Sequence, residues 1–393
     1  MPSPGQPYAA RLPSLTGLRF IAALLVFAFH ATAQGRYLGG SVGEGLEKIF
    51  VSAGSYGVTF FFVLSGFVLT WSARPNDTAP RIWRRRLVKI FPNHLVTFAL
   101  AAALMLAMAR PFAVPDTLAS LLLVQAWVPS MTVPTAMNTV SWSLSCELFF
   151  YLCFPALLRV LRRAPVRMLR VLAGALATLT LLVPVIARYL IGGVALPPVA
   201  DGSLSFEQIW FVYFFPPVRA IEFVLGMAVA LLVCADAWPR LGVLPAFLIA
   251  AGGYAVSSHL PYLYYMGGTA ALWLTPLVVA AAEADRKGTT SHFRGKTLVR
   301  LGELSFAFYM VHELVLTYAH TWFVADDPPS QAARAGILLV ALAVSLLLAH
   351  LLFTLAESPL VRRFSTARHR GPGHPPAAPV PQPGPQTREQ PGP

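Results

Sequence analysis

The ionisable side chains inside long apolar stretches of this chain include Arg19, His30, Glu147, Arg219, Glu222, His312, Glu313 and His350. In hydrocarbon such a group costs about 2.5–3.5 kcal/mol or more unless it is paired or faces a cavity, so each marks a candidate site. Arg19 and His30 are eleven residues apart. At about 100° per helical residue they fall within about 20° of the same face, separated by about 16 Å along the axis. An imidazole held in such a place can take a proton from a hydroxyl, and a carboxylate can orient it and stabilise the imidazolium that forms. Glu147 lies about five residues, or about 7 Å, inside its own apolar stretch, near the depth expected for His30. The expected catalytic set is therefore His30 as base, Glu147 as its carboxylate and Arg19 below them. The plainer alternatives are an Arg19 that snorkels to headgroups and a Glu–His pair that only fastens helices.

Arg219 and Glu222, three residues apart, suit a structural ion pair, and Pro216-Pro217 just before them should break the helix. His312, in SFAFYMVHE, is balanced between a helix-to-helix hydrogen bond and a site role. His350 has no companion and is assigned to packing. Ser65 is a candidate nucleophile for a covalent intermediate, although a Ser-Gly pair more often packs helices. Arg84, Arg85, Arg86 and Lys89, beside Pro92-Asn93 as a helix start, form a dense basic group. Guanidinium forks match phosphate geometry, so this group is the candidate site for the phosphates of a coenzyme.

The elements that must position these residues follow from composition. Of 393 residues 56% are hydrophobic and only 12% charged, about half the charged fraction of a soluble domain, and the mean hydropathy is +0.62. Apolar stretches of membrane-crossing length recur. They predict an all-α polytopic membrane bundle of about ten helices at 15–34, 50–72, 89–109, 142–161, 168–192, 208–234, 241–257, 264–284, 301–324 and 334–356. The run 116–128 is too short to span and is expected to be re-entrant or interfacial. Ala31-Thr32-Ala33 resembles a leader cleavage site, but Arg19 interrupts the apolar core, so the first helix is expected to be retained.

With a cytoplasmic N-terminus, 23 of the 30 Lys and Arg fall on the cytoplasmic side. That asymmetry explains the formal charge of +13 without a nucleic-acid partner, and it places both termini in the cytoplasm of a bacterial inner membrane. The three Cys fall in or at the end of spans, and no Zn-type spacing appears, so neither a disulfide framework nor a metal is expected. Residues 1–10 form a cytoplasmic segment, 11–365 one membrane domain, and 366–393, rich in Pro, Gly and Gln, a disordered tail.

Several segments resemble one family in its own order. LTGLRFIAALLVFAFH resembles the opening of the acyltransferase 3 family, whose signature is Arg or Lys, ten residues, then His, here Arg19 and His30. GVTFFFVLSGF (57–67), RRRLVKIFP (84–92), SWSLSCELFFY (141–151), VRAIEFVLGM (218–227), LGELSFAFYMVH (301–312) and AESPLVRR (356–363) resemble its later blocks. Leu148 stands where the family usually has a second acidic residue, Cys146 replaces an aliphatic, and Lys89 replaces an arginine. The resemblance spans about 11–365 and implies O-acyl transfer from an acyl-CoA, acetyl-CoA above all, to a hydroxyl of a carbohydrate or natural product such as a macrolide. It implies no tightly bound cofactor; acyl-CoA is a co-substrate, and the remaining partners are the acceptor and the bilayer. The rival from another class is a transporter or flippase whose buried charges line a substrate path.

Overall fold

The computed structural model describes residues 12–33, 36–74, 76–194, 196, 204–289, 291–326 and 328–365. The expected segment 1–10 and tail 366–393 lie outside the described residues. Within them the chain is helical, with no strand. The principal helices are α1 (Pro13–Thr32), α2 (Gly40–Phe50), α3 (Ala53–Ser72), α4 (Ala79–Ala107), α5 (Val114–Leu121), α6 (Trp142–Leu161) and α7 (Val166–Leu190). They continue with α8 (Phe206–Tyr213), α9 (Pro216–Cys234), α10 (Val243–Ser257), α11 (Tyr262–Met266), α12 (Ala271–Lys287), α13 (Lys296–Phe323), α14 (Gln331–Leu352) and α15 (Ser358–Ser365), the last two joined by a π turn over Phe353–Glu357.

Every expected span has a helix, but the count of ten is not reached by length and composition. Among the described residues seven stretches are long and apolar enough to cross a membrane. Of the other three, α10 has 15 residues and α12 has 17. The third, α13, has 28 residues but carries Arg300, Glu303, His312, Glu313 and His320. Its polarity is that of the candidate site itself.

Three local expectations need correction or refinement. Pro92 and Asn93 do not start a helix; they lie inside the 29-residue α4, which begins at Ala79. Pro216-Pro217 does break its stretch, leaving α8 and α9 separated at Phe214 and Phe215, since proline cannot donate to the preceding turn. The 116–128 run folds as α5 and a 3₁₀ turn at Gln125–Trp127, too short to span.

Most of α3 is buried, whereas α14 turns Leu339, Val340 and Leu347 outward. The interior is thus α3 flanked by α1, α9 and α6, with α14, α7 and α4 outside. Without a hydrophobic force between helices in lipid, close backbone approach has to supply packing. It does so where α3 crosses α9: a Cβ on Gly66 would lie 1.9 Å from the Phe223 carbonyl oxygen, and one on Gly226 2.1 Å from that of Val63. Only glycine fits at both. Gly66→Ala should therefore lower the melting temperature in detergent by several degrees, the cost of overpacking being about 1–3 kcal/mol. Gly252→Ala, where an added Cβ meets nothing within 4 Å, should leave it unchanged or slightly raised. Equal melting of the two variants would contradict this packing.

Candidate functional site

The side of the bundle where α1 begins is called near, and the side where α1 ends far. On the near side a cavity of about 440 Å³ opens between α1, α3, α4, α6 and α13, within the volume range of small-molecule sites. Its walls are mainly Leu, Val, Ile and Phe. Its polar groups are Thr16, Arg19, Ser65, Trp71, Ser72, Arg86, Lys89, Ser143, Glu147, Tyr151 and Tyr309.

Four of the expected residues meet here for identifiable reasons. Arg19 lies on the near half of α1, with Glu357, Glu147 and Arg86 as its charged neighbours. Arg86 lies over the Tyr151 ring at 5.9 Å. Tyr151 Oη donates to Glu147 Oε2 at 2.8 Å, an i, i+4 contact on one helix face. Lys89 donates to the carboxylate of Glu357, which the Asn93 amide also reaches at 2.5 Å. The π turn inserts one extra residue per turn, and its last residue is Glu357, 1% exposed. Among the described residues the guanidinium groups of Arg19 and Arg86 make no hydrogen bond, so their donors are available to the cavity.

The rest of the basic group is not brought in. Arg84 is exposed, and Arg85 makes a two-bond pair with Asp77 at 2.9 and 2.7 Å. Three successive helical residues point about 100° apart, so one run cannot aim all its charges at a single cavity. Asp77 lies outside the spans; burial alone would raise its pKa, but the bonds from Arg85 and the Arg74 backbone outweigh that and lower it. Ser65 does line the cavity, while Gly66 beside it makes the α9 contact.

His30 and Glu147 are not paired. The expected common depth assumed that α6 starts at a membrane boundary. Instead its first turn is sunk in the protein: Val140, Ser141 and Trp142 are buried, and Ser143 Oγ lies 3.0 Å from Tyr309 Oη. Glu147, one turn further along, therefore belongs to the near-side group. The carboxylate beside His30 is Glu313, with Oε2 3.9 Å from His30 Nδ1.

Around His30 a second polar group forms on the far side. His30 Nδ1 lies 3.1 Å from His312 Nε2. His312 Nδ1 lies 2.8 Å from the Tyr309 carbonyl and 3.2 Å from that of Phe308. Arg36 donates to both oxygens of Glu313, at 2.9 and 3.2 Å, to Thr317 Oγ1 at 2.7 Å, and to the His30 carbonyl at 3.3 Å. Adjacent His312 and Glu313 both reach this group because the α1–α13 crossing is intimate: a Cβ on Gly302 would lie 1.8 Å from the Thr16 carbonyl oxygen. His30, His312 and Glu313 have the composition of a two-histidine, one-carboxylate metal set, with ligand atoms within 4.8 Å of one another. However, Arg36 already saturates the carboxylate and adds a positive charge where a cation would sit.

The two groups share one wall. The Tyr309 ring lines the near-side cavity and lies 5.7 Å from the His312 ring, with Phe61 packed edge-on against it at 6.0 Å. His30 does not itself line that cavity, and its side chain keeps 18% exposure. Arg219 and Glu222 lie behind the Phe62 wall, both about 1% exposed, paired at 3.2 Å and joined to Thr59. Phe62 and Tyr213 cover the guanidinium at 5.1 and 5.8 Å. His350 does not pack inside: it is exposed on α14. The three cysteines are free.

Residues 12–351 match the acyltransferase domain family called acyltransferase 3. The chain belongs to this family. The acyltransferase MdmB of Streptomyces mycarofaciens is 39% identical over 375 residues, covering 92% of this chain and 95% of that protein. The O-acetyltransferase OatA of Staphylococcus aureus (strain NCTC 8325 / PS 47) is 23% identical over 393 residues, covering 90% of this chain but 57% of its own length. No solved structure matches. This acyltransferase is thus a multi-pass membrane protein whose interior polar groups include one on each side of the Tyr309 wall.

Three members of these groups escaped the sequence reading. Arg36 lay just past the apolar stretch, Glu357 just past the last one, and Asn93 was taken for a helix start. Glu357 had one signal, its place in AESPLVRR; Arg36 had none. The Arg36–Glu313 pair gives a test. Arg36→Met leaves a mostly buried carboxylate unpaired and should cost about 1–3 kcal/mol. Adding Glu313→Gln should recover most of the melting temperature, since the two effects belong to one pair. Additive losses in the double variant would contradict the pairing.

Proposed function

We propose that this protein is an O-acyltransferase that moves a short acyl group from acyl-CoA to a hydroxyl of a carbohydrate or natural product, with His30 as general base. The carrying observation is the near-side cavity, in which Arg19 and Arg86 present unused guanidinium donors and whose far wall, Tyr309, abuts the His30–His312 pair. Guanidinium donors without protein partners favour an anionic ligand, and the apolar walls beyond them suit an uncharged arm. In this reading the near side is cytoplasmic, as the charge asymmetry of the sequence implies, and both termini lie there in a bacterial cell membrane. All ten expected stretches then cross the bilayer, the shorter ones where the protein interior shields their polar residues. A single membrane domain covers about 11–365.

The donor's phosphates are held by Arg19, Arg86 and Lys89, with Lys89 positioned by Glu357. The pantetheine arm lies along the cavity toward Tyr309 and Phe61, whose rings turn aside to let the thioester reach His30. As the acceptor oxygen attacks the thioester carbonyl, its proton passes to His30. The tetrahedral intermediate then collapses, the carbon–sulfur bond breaks, and the CoA thiolate takes the proton from the imidazolium. Products are the ester and CoA thiol, and the enzyme is unchanged. Glu147 shapes the charge of the donor cavity here; the carboxylate that attends His30 is Glu313. Arg219 and Glu222 hold α9 to α3 behind the wall.

The near-full-length similarity to the acyltransferase MdmB supports acyl transfer, and the family resemblance implies a carbohydrate or a natural product such as a macrolide as acceptor. A macrolide is therefore the first acceptor to test. Purified full-length protein in nanodiscs, given acetyl-CoA and erythromycin A or a chito-oligosaccharide, should release CoA thiol and acetylate one probe. His30→Ala should lower that rate by about 10²–10⁴-fold while folding is retained. Arg86→Ala should mainly raise KM for acetyl-CoA, by about 10-fold, the worth of one charge-assisted contact. Unaltered turnover in His30→Ala would overturn the assignment, and transport of an acylated probe without thioester consumption would favour a flippase.

A further inference from the structure

The far-side ring pair has only one neutral hydrogen-bonding pattern. His312 Nδ1 faces two backbone carbonyls, Tyr309 at 2.8 Å and Phe308 at 3.2 Å. Carbonyl oxygens only accept, so Nδ1 of His312 carries the hydrogen. A neutral imidazole then leaves Nε2 of His312 as a lone pair. That nitrogen is 3.1 Å from His30 Nδ1, so His30 Nδ1 must donate. The lone pair of His30 is consequently on Nε2, and a further polar neighbour of the ring, the Val26 carbonyl, can only accept a hydrogen.

We propose that His312 is a positioning residue that fixes the tautomer of His30 and thereby makes His30 Nε2 the proton-accepting atom of the reaction. This rests on the reading of His30 as base. The arrangement needs no rearrangement on proton uptake. When Nε2 gains its proton, Nδ1 is already bonded to His312, and the imidazolium lies beside the Glu313 carboxylate 3.9 Å away. Partners in place before charge develops act without reorganising in the transition state. His312 can hold this role because it is fully buried, stacked against Phe308 at 5.7 Å between ring centroids and fastened to its own helix. The Tyr309 carbonyl that fixes His312 belongs to the residue whose ring walls the donor cavity. One helical turn therefore sets both the end of the donor channel and the polarity of the base.

His312→Leu removes the acceptor for His30 Nδ1 while keeping an apolar volume; His312→Gln keeps a carbonyl that can accept that hydrogen. With acetyl-CoA and the acetylated probe from the nanodisc assay, His312→Leu should lower kcat by about 10²-fold or more, with KM for acetyl-CoA within about 2-fold of wild type. His312→Gln should recover at least about 10-fold of the lost kcat. Both should melt within a few degrees of wild type, and a Leu variant that does not fold leaves the Gln variant and its kcat as the test. Wild-type kcat in His312→Leu, or no difference between Leu and Gln, overturns the proposal. So does loss of wild-type activity on chelation with restoration by zinc, because a metal at Nδ1 would require the opposite tautomer. His30→Ala separates the two levels: if it is inactive while His312→Leu is normal, only the role of His312 falls. If His30→Ala is fully active, the base assignment falls with it.

Discussion

Inside a bilayer a polar side chain has no water to bond, so its position is decided by which other polar group it can reach. That constraint organises this protein. Most of its interior ionisable residues condense into three groups: Arg19, Glu147, Arg86, Lys89 and Glu357 on the near side; His30, His312, Glu313 and Arg36 on the far side; and Arg219 with Glu222 behind α3. The third lies outside the near-side cavity, with aromatic faces over its guanidinium and Arg219 Nε and Nη1 left without a hydrogen bond. The other two border the Tyr309 wall and are incomplete in complementary ways. The near group has guanidinium donors to spare, whereas the far group has a spare imidazole nitrogen. A ligand with an anionic end and an electrophilic end is the shape of molecule that such an arrangement accommodates.

The glycine contacts make this condensation possible. Gly66 and Gly226 bring α3 and α9 to backbone contact, and Gly302 does the same for α13 against α1. Since α1 carries Arg19 and His30 while α13 carries Tyr309, His312 and Glu313, the α1–α13 crossing fixes the far group. The α3 side chains Phe61 and Phe62 line the near-side cavity. Small residues that show no chemistry therefore determine how closely the chemical ones meet.

Much of this was legible in the sequence. Periodicity puts Arg19 and His30 on one face of one helix, and the density of Arg84, Arg85, Arg86 and Lys89 singles out the basic run of α4. The family blocks signalled where the remaining residues lie. What failed was depth. Glu147 was measured from an assumed boundary, but the segment before α6 dips into the core, so Trp142 begins its helix already buried. Glu313, one residue after His312, is visible in the sequence, but nothing in the spacing of α13 shows which helix it faces. Arg36 and Glu357 sit just outside apolar stretches, where a hydropathy reading stops, yet the α1 terminus and the π turn fold them inward. Boundaries and helix-to-helix azimuth are tertiary properties, and a pattern along one helix does not encode them.

The union of the two incomplete groups by one donor is the central claim, and it can be observed directly. A cryo-EM structure of the full chain in nanodiscs with a non-transferable acetyl-CoA analogue would locate both ends of that molecule. Phosphate density against Arg19 and Arg86, with the thioester analogue beyond a displaced Phe61 or Tyr309 and within hydrogen-bond reach of His30 Nε2, is the expected result. Coenzyme bound elsewhere, or an arm that ends on the near side with the Tyr309 wall still closed under saturating acceptor, would contradict it.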